Sequence, residues 1–248
     1  MPLNFILPFL ASIIMFAFTV IVIRRYLKRR TLHLLFWGLG LAMFGVATFA
    51  EAYLALAWNP WMFFTWYLFG AALTAGWIGQ GTVYLLLHKR WAHALTAVLI
   101  LGSLITTALM LQVMPKLDAS RFIPAHPISE QYRTIMPPIE AGATVRLTTP
   151  FFNIYGLITL GGGALWSAYL LWRKRALPSR VIANVLIAAG AFSVGLTGTL
   201  TRLGYGSLLY LGELFAATLM FAGFMLAARP QPQGAASPAP ARQMSPNA

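Results

Sequence analysis

Seven stretches of mostly apolar residues follow one another along the chain, separated by short polar, proline-bearing or basic segments. They cover approximately residues 3–23, 32–58, 62–87, 92–112, 151–172, 181–200 and 207–228. About 20 apolar residues are enough to cross a bilayer core as a helix. A helix satisfies its own backbone N–H and C=O groups, which lipid cannot do. The pattern therefore predicts an all-α integral membrane protein, a seven-transmembrane-helix bundle occupying residues 1–229.

Two segments break the pattern. Residues 113–149 form a long loop with prolines at 115, 124, 127, 137 and 138. Within it, Ser129–Met136 reads as two helical turns capped by Ser129, and Ala143–Leu147 reads as extended. Phe122, Ile123, Tyr132, Ile135, Met136 and Ile139 predict a loop that packs on the mouth of the bundle. Residues 230–248 are rich in Pro, Ala, Gln and Ser and cannot bury a core, so a disordered cytoplasmic tail is expected.

Composition narrows the class. The 248 residues are 59% hydrophobic and 9% charged, against about 25% charged in soluble domains, which excludes a soluble globular enzyme. The 18 Lys+Arg outnumber the 5 Asp+Glu, giving +13. These cations lie between the apolar runs, not along a stripe with interleaved aromatics, so no nucleic-acid partner is expected. Thirteen fall in alternate connections on one side and five on the other. By the positive-inside rule the amino terminus is outside and the carboxyl terminus cytoplasmic, in the inner (plasma) membrane. The charges of the first span follow its apolar run, as expected of an uncleaved helix. No cysteine is present, which excludes disulfides, thiolate chemistry and iron–sulfur ligation.

Three of the five acids lie in the long loop; Glu51 and Glu213 lie within spans two and seven. At 1.5 Å per residue, Glu51 is about 28 Å from the inner start of its helix and Glu213 about 9 Å below its outer start. Ionisable groups at such depths face the bundle interior and pair. Arg202, just before the turn Gly204–Gly206, is the cation expected to reach Glu213. Tyr53, Asn59, Tyr67, Asn153, Tyr155 and Tyr210 fall near the same level. The candidate ligand or proton site at the outer mouth is thus Glu51, Glu213, Arg202, Tyr53, Tyr67, Asn153, Tyr155 and Tyr210. The competing reading is a structural salt bridge with side chains snorkelling to the interface. Trp58, Trp61 and Trp66 read as an interfacial aromatic belt.

Other chemistries find no residues. His33, His88 and His93 sit at the inner ends of spans with no acid beside them, so no metal site is expected, and b-haem would need imidazoles inside the spans. All four lysines lie outside the spans, which excludes a retinal Schiff base. Neither Gly-x-Ser-x-Gly nor His-Glu-x-x-His occurs, so no catalytic residues and no cofactor are assigned. The glycines of spans three, five and six predict close helix contacts. Gln80, Asn184, Thr197, Thr199 and Thr201 are expected to hydrogen-bond between helices.

The basic first inner loop, Trp37, Trp66-Tyr67-Leu68, the long outer loop after span four, and Arg173-Lys174-Arg175 before span six carry a resemblance. Together they resemble the seven-helix sensor modules that precede bacterial histidine kinases. That resemblance implies a non-enzymatic sensor or receptor-like role with the ligand site at the outer mouth. No output domain is expected after Arg229, so signalling would require a separate subunit besides the surrounding lipid bilayer. Two other readings stand beside it: a proton-coupled carrier using Glu51 and Glu213, and a structural subunit of a membrane complex.

Overall fold

The computed structural model describes residues 2–175, 178–201 and 205–228; the expected tail at 230–248 lies outside the described residues. It has seven helices long and apolar enough to cross a membrane. Span one is Pro2–Arg29, span two Leu32–Leu54 and span three Pro60–Leu86. Span four is Lys89–Val113, and span five is Thr144–Arg173. Span six is Pro178–Thr201 and span seven Ser207–Ala227. One end of the bundle carries the long loop; the other carries the basic connections.

Local chemistry sets the boundaries. Span two stops at Leu54, not at Trp58, because Asn59 starts the next helix. Its side chain accepts the N–H groups of Trp61 and Met62 at 2.9 and 3.1 Å. Pro60 then occupies the first helical position, where no N–H is needed. Span one continues past Ile23 to Arg29, carrying its basic residues on helical turns beyond the apolar run.

Spans one, two, three, five, six and seven close into a ring, with span four leaning on span three from outside. Glycines permit the closest crossings. A Cβ on Gly156 of span five would lie 2.3 Å from the Ala75 carbonyl carbon of span three, so only glycine allows these backbones to touch. Apolar burial fills three regions, one of them formed by Phe36, Leu68, Leu73, Leu99 and Phe152 of spans two to five. Met15, Phe18, Leu41, Phe44, Met220 and Phe224 join spans one, two and seven. Phe63, Trp66, Ile128, Ile135, Met136 and Val145 join the loop to spans two to five.

Two stretches are wound as π-helix, Trp66–Leu73 in span three and Leu157–Gly162 in span five. The wider turn displaces carbonyls from the i→i−4 ladder. Asn153 of span five donates to one of them, the Ala71 carbonyl, at 2.9 Å.

The loop packs on the mouth as its apolar residues predict, with Ile135 and Met136 buried. Its details differ. The short helix is Ile128–Ile135 with Pro127 at the cap position; Ser129 lies inside the first turn, its hydroxyl buried and unpartnered. Residues Thr144–Leu147 form a 3₁₀ turn, not an extended segment, and make the first turn of span five. The loop is tied down at several points. The Ala125 N–H donates to the Ala55 carbonyl at 3.0 Å, and Asn4 Nδ2 donates to the Ala125 carbonyl at 2.8 Å. Gln131 accepts from the Ile123 N–H at 2.8 Å and donates to the His126 carbonyl at 2.9 Å.

Candidate functional site

Two buried polar clusters lie within the bundle, one near each end. At the loop end, Glu51 of span two is 1% exposed and Glu213 of span seven 8%. Their carboxyl groups are neighbours inside the bundle. Span one packs against both helices and fills the space below with Met15 and Phe18. Trp66 Nε1 donates to Glu51 Oε1 at 3.1 Å. Neither Glu51 Oε2 nor Glu213 Oε2 meets a donor. Ionised carboxylates only accept hydrogen bonds, so a bond between these two groups requires a proton on one of them.

Tyr210 lies one helical turn above Glu213, buried beside both carboxyl groups. Its hydroxyl accepts the N–H of Ile128, the first residue of the loop helix, at 3.2 Å. A second tie joins the same elements: Glu130 of the loop helix accepts the N–H of Gly206 at the entry to span seven. His126 Nε2 lies 3.0 Å from the other Glu130 oxygen. Above Trp66 the mouth is aromatic. Tyr132 of the loop helix lies 5.9 Å from the Trp66 ring and 6.0 Å from that of Tyr67. The Tyr67 hydroxyl meets Thr149 Oγ1 at 3.3 Å.

The second cluster lies nearer the basic end and centres on Gln80 of span three, which is fully buried. Gln80 Nε2 donates to the Ala92 carbonyl at 2.9 Å and to Thr96 Oγ1 at 2.8 Å, both on span four. Its oxygen accepts from the Tyr155 hydroxyl of span five. Tyr84 extends the network, meeting Thr96 Oγ1 and His93 Nδ1 at 2.9 Å each. Trp77 Nε1 donates to Ser103 at 3.1 Å, a further polar tie between spans three and four.

The sequence-predicted residues divide between these places. Glu51, Glu213 and Tyr210 come together, with Tyr67 in the aromatic layer above. Tyr155 belongs to the Gln80 cluster and Asn153 to the π-turn of span three. Tyr53 is half-buried two residues from Glu51 along its helix, a rotation of about 200°, so it leaves by another face. Arg202 lies outside the described residues; Glu213 lies beside Glu51.

Trp66 is a correction: it is buried against Glu51, not part of an interfacial belt, whereas Trp61 is exposed. Gln80 bonds between helices as expected, but the other candidates do not. Asn184, Thr197, Thr199 and Thr201 donate to carbonyls of their own helix. Ser193, not singled out, makes the tie from span six to the Gly212 carbonyl of span seven at 3.1 Å. A groove of about 470 Å³ lies apart from both clusters, on spans five and six, lined by Leu157, Ala189, Phe192, Ser193, Gly195 and Leu196.

Compared with known proteins, the chain matches no family model, no curated sequence and no solved structure.

Proposed function

We propose that this seven-helix membrane protein is a non-enzymatic, receptor-like sensor whose responsive element is the Glu51–Glu213 carboxyl pair beneath the loop. The reading includes an outer loop end and a cytoplasmic basic end in the plasma membrane. The distribution of Lys and Arg supports the orientation. One observation carries the proposal: two buried carboxyl groups from different spans lie side by side in the bundle, with one oxygen on each that meets no donor. Such a pair has two distinct states, one that holds the two spans together and one that drives them apart. Tyr210 is buried beside this pair and its hydroxyl accepts an N–H of the loop helix, so the loop is the element that responds.

The test is infrared difference spectroscopy of the reconstituted protein between acid and alkaline buffer. A band from a protonated carboxylic acid should disappear as pH rises, and both Glu51→Gln and Glu213→Gln should abolish it. Loss in one variant alone shows that the two residues do not act as a unit and removes the proposal.

A second reading, a proton-coupled carrier built on the same pair, draws on a different observation. The π-helical stretches of spans three and five occupy neighbouring helices, and π-turns mark places where helix register shifts. Proteoliposomes separate the two readings: a carrier dissipates an imposed proton gradient when substrate is supplied, and a sensor leaves it intact.

A further inference from the structure

The loop holds more positive charge than its acids take up. Asp118 is committed to Arg121 at 3.0 Å. The Ser120 hydroxyl and then Arg121 hold its carboxyl below the usual range. Glu130 is committed to His126 and the Gly206 N–H. Among the described residues, no carboxylate lies within ion-pair distance of Arg133 or Arg146. Yet both guanidinium carbons lie 5.8 Å from the centre of one ring, that of Tyr132. Two cations gathered at one ring repel each other, and the attraction of the ring face offsets only part of that cost.

The surroundings are ordered. Arg133 Nε donates to the Tyr132 hydroxyl at 3.1 Å, which fixes the guanidinium and leaves its two terminal nitrogens uncommitted. That same hydroxyl pushes the Arg133 pKa further up, so the group stays cationic. Both arginines lie close enough to act on the Tyr67 phenol, which is buried with its hydroxyl against Thr149. The result is two guanidinium forks around one tyrosine. Guanidinium forks match the geometry of carboxylate and phosphate oxygens.

We propose that Arg133 and Arg146, with Tyr132 between them, form a binding site for a small oxyanion, a carboxylate or phosphate group, at the loop end. The site names the ligand class of the sensor reading and rests on that reading for its consequence, though not for binding itself. Tyr132 packs on Trp66, and Trp66 holds Glu51, so a bound anion sits two contacts from the carboxyl pair.

Calorimetric titration of the purified full chain with inorganic phosphate, and separately with succinate, tests the site. Saturable binding of one of them is expected. Arg133→Gln and Arg146→Gln should each weaken it at least tenfold, while Arg121→Gln leaves it unchanged. If binding in solution is absent, nanodiscs distinguish the other source of the same chemistry. Enrichment of phosphatidylglycerol over phosphatidylcholine around the wild-type chain, lost in both Gln variants, assigns the site to a lipid headgroup. Equal weakening by Arg121→Gln reduces the effect to net charge and overturns the proposal. So does the absence of both kinds of binding, which leaves the arginines as pins for the loop. Anion binding by the wild type without the titrating infrared band keeps this site and removes the sensor reading.

Discussion

At the basic end, Gln80 gives both amide hydrogens to span four and receives one from span five. At the loop end, Glu51 and Glu213 face each other with an oxygen on each that meets no donor. Both clusters are buried, and both join helices distant in sequence. They differ in completeness. A network with every donor and acceptor used has one low-energy arrangement and holds its helices there. A pair that depends on one mobile proton has two. The first cluster is thus built to hold helices in place, and the second is the place to look for a change of state.

The largest effect should come from the crossing that lets the satisfied cluster form. Gly156→Ala places a methyl group 2.3 Å from the Ala75 carbonyl carbon, and backbone cannot give way as a side chain tip does. Spans three and five must separate, drawing Tyr155 away from Gln80. A loss of about 3 kcal/mol or more is expected, read as a fall in thermal unfolding temperature in detergent. A wild-type melting curve would show that the two helices do not rely on this contact.

Next is Gln80 itself. Interhelical hydrogen bonds within membranes average about 0.6 kcal/mol and reach about 1.7. Gln80→Leu removes three at once, for a loss of roughly 2–3 kcal/mol. Span four is the least embedded neighbour of span three, so its amides should become the first to exchange with solvent. If exchange rises equally throughout the bundle, the cluster is not what secures span four.

Much of this architecture was legible in the chain because the bilayer imposes a one-dimensional rule. An apolar run of sufficient length needs no partner to be read as a span, and the seven ranges agree with the helices to within a few residues at most ends. Glu51 and Glu213 stood out for the same reason, since an acid in an apolar run needs an explanation. What surrounds them was not legible. Trp66 sits seven residues after Asn59-Pro60, among aromatics, and only the rotation of span three turns it inward. Tyr155 shares the level of Asn153 along the chain, but the Gly79–Gly156 crossing carries its hydroxyl to Gln80. Ser129 has the composition of a cap, but Pro127 already supplies the turn that starts the loop helix. Charge complementarity nominated Arg202, which lies outside the described residues, as the partner of Glu213; that Glu51 lies beside Glu213 is an arrangement that counting opposite charges does not suggest.

Between the carboxyl pair and the loop stands Tyr210, and its removal should be felt locally. Tyr210→Phe keeps the ring and deletes the acceptor of the Ile128 N–H. A buried donor left unpaired costs about 1–3 kcal/mol, here confined to the first turn of the loop helix. Hydrogen exchange at residues 128–131 should accelerate several-fold while the spans keep their protection. Unchanged exchange there would show that the loop helix does not depend on Tyr210 and does not sense the pair.

The smallest change in stability, and the sharpest test of the comparison, belongs to Glu51→Gln. The amide has the shape of the carboxyl group. Its oxygen still accepts from Trp66 Nε1, and its nitrogen donates to Glu213 without needing a shared proton. Every contact present at acid pH is therefore kept, and the change in unfolding free energy should be within about 1 kcal/mol. Glu51→Ala is the contrasting variant, since it opens a cavity and leaves the indole N–H without an acceptor, for a cost of about 2–4 kcal/mol. If Glu51→Gln costs as much as Glu51→Ala, the carboxyl group is held by its charge and not by a proton. The loop-end cluster would then be a second rigid network of the Gln80 kind, and the contrast between the two ends would disappear.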